Sequence, residues 1–150
     1  MSQVLWTTGG PLVPDARVQR VVEAALAEGG RSGLELSIVF VGEEELRRLH
    51  ETRLGDPSPT DVMAFDLGEE GGGPAGELYV SVDRARAMAD ELGVDLEREL
   101  SLYVAHGVLH LCGHDDRAPR EAARMRAAEG RVLDRVGQPR DPERHPPGAV

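Results

Sequence analysis

Residues 106–116 read His-Gly-Val-Leu-His-Leu-Cys-Gly-His-Asp-Asp. Two imidazoles four residues apart share one helical face, so His106 and His110 can aim ring nitrogens at one point. Gly113 can supply the left-handed residue that ends a helix. The chain can then double back and bring a third ligand to the same point. Asp116, His114 and Asp115 compete for that role. The turn after Gly113 needs a few residues to reverse, which favours Asp116, while His114, directly after the glycine, is expected to point outward. Three N/O ligands with a fourth position open is the arrangement of a catalytic metal. A lone histidine on an apolar helix is most often an ordinary core residue. Two of them buried without partners would be costly, and coordination removes that cost.

Other residues in the run have simpler readings. Cys112 lies about 200° around an ideal helix from His110 and reads as a small buried apolar residue. The ligand spacing occurs in metzincin peptidases, but those carry H-E-x-x-H with the glutamate as general base. Gly107 stands in that place and cannot transfer a proton, so a peptidase ranks behind other hydrolases. Asp61, Asp115 and His114 are candidates to stand behind a ligand imidazole and fix its tautomer; for Asp61 and Asp115, turn or helix capping is the plainer reading. The arginines from Arg117 to Arg135 offer a local strip that could face RNA, while the interleaved Glu121, Glu129 and Asp134 make a solvated helix face the plainer reading.

Composition narrows the classes. With 150 residues the chain is read as one domain over 1–137 and a Pro-rich, charged, disordered tail over 138–150. A net charge of −10 opposes general coating of nucleic acid, and no DNA partner is expected. All 17 basic residues are arginine, the better fork for phosphate where a local patch exists. One cysteine excludes an internal disulfide framework and fits a reducing compartment. The first residues lack a basic stretch followed by an apolar one, and no segment approaches the roughly 20 apolar residues of a membrane span. A cytoplasmic protein without a membrane partner is the expectation.

The elements that must hold the run follow from periodicity. Strands are expected at Gln3–Thr8, Leu34–Val41, Thr60–Phe65 and Glu77–Val82. Helices are expected from Pro14 to about Gly29, Glu43 to Arg53, after an Asp83 N-cap to about Leu92, Leu96 to Cys112, and Pro119 to Val136. The fold class is α+β: a small mixed sheet of about four strands packed with about five helices. The helix carrying His106 and His110 is apolar nearly all round and should be the buried central one.

Three blocks carry a family resemblance. His106–Asp116 resembles the H-G-x-L-H-L-x-G-Y-D-H signature of the YbeY-type rRNA maturation endoribonucleases. Pro59-Thr60-Asp61-Val62-Met63-Ala64-Phe65 resembles that family's P-T-D-V-L-S-F, and Gly76–Ser81 its G-D-I-x-I-S strand. The resemblance implies a metal-dependent hydrolase cleaving single-stranded RNA in rRNA maturation and ribosome quality control. It implies rRNA precursor and ribosomal particles as partners, and one zinc ion, or another divalent metal, on His106 and His110. The family's third histidine aligns with Asp116, which makes this a retuned site. A second departure precedes the Pro59 block. The family's active-site arginine aligns with Leu54, and Arg53 sits one residue early as a candidate for the same role. The nucleophile, hydroxide or a ribose 2′-hydroxyl, stays open. So do two other readings, a metzincin-like peptidase and a non-catalytic ribosome-associated factor with a structural metal.

Overall fold

The structure, a computed structural model, describes residues 2–56 and 60–140. Pro59 and residues 141–150 of the expected tail lie outside the described residues. The β-branched run at 36–41 forms the strand that organises the sheet. β1 (Gln3–Trp6) and β4 (Gly76–Ser81) flank β2 (Leu36–Val41), both parallel to it. β3 (Val62–Asp66) closes the far edge antiparallel to β4, giving the order β1-β2-β4-β3. The mixed four-stranded sheet and five helices make the α+β class expected from the sequence.

Side chains alternate across the sheet. Ile38, Phe40, Val62, Leu78 and Val80 enter the main core from its inner face. There they meet α1 (Asp15–Glu28) through Val18, Val21, Val22, Ala25 and Leu26. Trp6 stacks on Phe40 at 3.9 Å between ring centroids. Val39, Val41 and Met63 point the other way and are capped by Leu46 of α2 (Glu43–Leu54).

α3 (Val82–Leu92) follows β4 without a loop, and its N-cap is Ser81, whose hydroxyl accepts from the Arg84 N–H at 3.1 Å. Asp83, expected to cap α3, instead accepts from Glu43 N–H at 2.8 Å and serves the start of α2. α4 (Leu96–Leu111) is buried along almost its whole length, from Arg98 to Leu109. Its close seat on the sheet depends on Gly107. A Cβ there would stand 2.5 Å from Leu78 Cδ2 and 3.1 Å from Val62 Cγ2. α5 (Pro119–Arg135) opens with a proline at its first turn and packs on α1 and α4.

Candidate metal centre

The C-terminus of α4 builds the site. Gly113, at φ +101°, takes the left-handed position. Its N–H donates to His110 O at 3.1 Å and the N–H of His114 to Leu109 O at 3.0 Å, the paired bonds of a Schellman ending. That reversal carries the His114 carbonyl back under the preceding turn, where it accepts from His110 Nδ1 at 2.8 Å. A carbonyl can only accept, so His110 Nδ1 carries a hydrogen, and in the neutral ring that puts the lone pair on Nε2.

The loop that follows is pinned by Asp115. Its Oδ1 accepts from the N–H groups of Asp116 at 2.7 Å and Arg117 at 3.1 Å. The Arg117 guanidinium forks onto the same carboxylate at 2.7 and 2.9 Å. That side-chain bond, with backbone donors behind it, holds the Asp115 carboxyl at about 2, below the usual carboxylate range. Asp115 thus shapes the loop, and Asp116 is presented to α4.

His106 is fully buried. Its Nδ1 is hydrogen-bonded to Glu129 Oε2 of α5. Its Nε2, equally buried, has no hydrogen-bond partner among the described residues and lies 3.6 Å from Asp116 Oδ2. A tetrahedral ion with arms of about 2.0–2.2 Å sets neighbouring donors about 3.4 Å apart, so these two atoms suit one cation between them. The rings of His106 and His110 are inclined at 21° with centroids 6.2 Å apart. Among the described residues no three ligand side chains are yet drawn up as a complete set. The remaining approach falls to His110 and Asp116, both only part-buried. An orphaned buried nitrogen, a second imidazole with its lone pair fixed and a facing carboxylate fit a divalent cation.

The other predicted residues have different surroundings. The Asp61 carboxylate, buried at the start of β3, accepts from Arg84 Nε at 2.9 Å. The places at the two Nδ1 atoms are taken by Glu129 and by the His114 carbonyl. His114 therefore supports His110 through its backbone. The residue also lines a surface cavity with Cys112, Glu121 and Arg124. Arg53 lies with its guanidinium 5.1 Å from the centre of the Phe65 ring, on the outer face of the sheet. Burial raises the Cys112 thiol above its ordinary value, as its apolar reading requires.

Glu129 escaped the sequence reading, which left it among the solvated acids of α5. The available signal was its register. It is four residues after Met125 and three before Val132, so it falls on the apolar stripe of its helix, and it is 3 % exposed.

Known proteins with this architecture bear on the whole arrangement. The family model described as endoribonuclease YbeY matches residues 13–137, a span that includes every residue of the site. The chain belongs to the YbeY endoribonuclease family. Among YbeY endoribonucleases, that of Myxococcus xanthus is 41 % identical over 115 residues, covering 73 % of this chain but 39 % of the relative's own length. That of Bacillus licheniformis is 34 % identical over 134 residues, covering 81 % of this chain and 85 % of the relative. The solution structure of TM1509 from Thermotoga maritima shares the fold, with a TM-score of 0.59 at 24 % identity, covering 97 % of this chain and 100 % of that one. Among the described residues no helix is long and apolar enough to cross a membrane.

Proposed function

We propose that this member of the YbeY family is a metal-dependent endoribonuclease that cleaves single-stranded RNA during rRNA maturation and ribosome quality control in the cytoplasm. Its partners are rRNA precursor and ribosomal particles. The ligands are His106, His110 and Asp116, and zinc is the expected metal. Bound there, such an ion supplies Lewis-acid polarisation of a phosphoryl oxygen and acidification of a water.

The chain's own residues orient and exclude. Glu129 and the His114 carbonyl leave both Nε2 lone pairs free for the site. Apolar packing keeps water from His106. Asp116, with its side chain 22 % exposed, stands between that interior and the solvent from which RNA would arrive. The observation that carries the reading is the buried, unpartnered Nε2 of His106 facing the Asp116 carboxylate.

The peptidase reading loses ground at Gly107. That residue sits against Leu78 and Val62, and the tightness of the contact excludes the glutamate a zinc peptidase needs there.

The test is cleavage of rRNA precursor by the purified protein with and without chelator, alongside His110→Ala. Cleavage should be lost with chelator and return with added zinc. His110→Ala should lose more than the about 10–100-fold typical of removing a group behind a ligand. Co-sedimentation with ribosomes without cleavage, unchanged in His110→Ala, would turn the conclusion to a non-catalytic factor.

A further inference from the structure

We infer that Glu129 is a positioning residue of the metal centre, holding the His106 ring so that Nε2 rather than Nδ1 faces His110 and Asp116. The inference rests on the metal reading above and adds a residue from a distant helix to it. An ionised carboxylate only accepts hydrogen bonds. With Glu129 Oε2 against Nδ1, that nitrogen carries the hydrogen and the lone pair is fixed on the opposite side of the ring. The opposite side is where the unpartnered Nε2 meets Asp116 Oδ2 at 3.6 Å.

Three features speak against Glu129 being there for packing. Its helical neighbours on the same face, Met125, Ala128 and Val132, are fully buried apolar residues, so an aliphatic side chain would suit the position. A carboxylate brought into that setting costs free energy unless it is matched by a donor. The His106 ring is that donor. The second imidazole is treated alike by a different device, its Nδ1 bonded to the His114 carbonyl. Both histidines thus present the same nitrogen, one by a loop carbonyl four residues on and one by a side chain 23 residues away.

The experiment measures metal affinity, not turnover. Cobalt(II) is titrated into metal-free wild type, Glu129→Leu and Glu129→Gln, following its visible absorption, with circular dichroism to establish folding. Glu129→Leu should fold and bind cobalt about 10–100-fold more weakly than wild type. Glu129→Gln, whose amide oxygen can accept the same hydrogen, should recover most of that loss. Should the leucine variant not fold, nitrogen-15 correlation spectra of metal-free wild type at mildly alkaline pH decide instead. They should show His106 with its hydrogen on Nδ1. A folded Glu129→Leu with wild-type cobalt affinity, or a His106 hydrogen on Nε2, overturns the inference while leaving the metal reading intact. A wild type that takes up no cobalt overturns the metal reading itself.

Discussion

Asp116 and His114 are two residues apart and would serve the proposed metal site through different atoms. Asp116 offers a side-chain oxygen 3.6 Å from His106 Nε2, whereas His114 offers its main-chain carbonyl to His110 Nδ1 at 2.8 Å. Removing a side chain therefore has opposite consequences at the two positions. Asp116→Ala should lose a ligand, and the purified protein should carry well under one equivalent of metal by elemental analysis. His114→Ala keeps the carbonyl and should retain the wild-type content. Equal loss in both variants would mean that the loop after Gly113 uses the His114 ring. Which of 114, 115 and 116 does what was only partly legible in the sequence. The Schellman ending and the Asp115 turn set the direction of each side chain, and both depend on hydrogen bonds rather than on residue type alone. A carboxylate at 116 in place of the imidazole implied by the family resemblance also adds negative charge beside His106. That favours a hard divalent cation and should make a bound water less acidic than three neutral imidazoles would.

Helix α4 shows why one glycine at 107 both excludes a peptidase base and fixes the site's height above the sheet. The space a methyl group would need is filled by Leu78 and Val62, both fully buried. Gly107→Ala should gain helix propensity and still lose stability, because overpacking of this kind costs about 1–3 kcal/mol. For a domain of this size that amounts to a melting temperature lower by roughly 2–4 °C per kcal/mol, readable by calorimetry. An unchanged or higher melting temperature would show that β3 and β4 yield easily to α4. Elements of this kind were the most legible part of the chain. The β-branched run of β2, the apolar stripe of α1 and the proline opening α5 are local signals, and each produced its element within a residue or two. The caps were less so. Asp83 has the residue type and position of an α3 cap, yet its carboxylate serves Glu43 of α2, a contact 40 residues apart that no local pattern contains. The placement of β4 between β2 and β3 is non-local in the same way.

At the scale of the molecule, what periodicity could not supply are the contacts that tie α5 and the segment after it to α4. His106–Glu129 is one. Another is at the far end of α4, where Arg98, fully buried, donates to Glu99 Oε1 at 2.7 Å and to Pro139 O at 2.9 Å, while Gln138 donates to Glu97 at 3.2 Å. Residues 138–140, just past the domain edge placed at 137 by composition, are joined to α4 and α5 by these hydrogen bonds and by Arg140 to Asp134, while Pro139 and Arg140 stay exposed. Charge at this scale bears on the proposed substrate. The chain carries a net −10. Arg17, Arg31, Arg47, Arg84, Arg98, Arg117, Arg131 and Arg140 each face a carboxylate of the protein itself. Eight of the 17 arginines are thus engaged by the protein's own acids, and with 27 acidic residues in the chain the net charge opposes a broad phosphate-binding surface, so specificity is expected to rest on the proposed metal centre and its surroundings. Each phosphate contact on a single strand adds about 0.7 to the salt slope, and two contacts would cost roughly sevenfold in affinity between 50 and 200 mM salt. Binding of a single-stranded rRNA fragment to metal-loaded protein, followed by fluorescence anisotropy, should weaken by less than about tenfold over that range. A fall of about 10³-fold or more, the behaviour of proteins making 6–10 phosphate contacts, would reveal a basic track that the ion pairs of this structure hide.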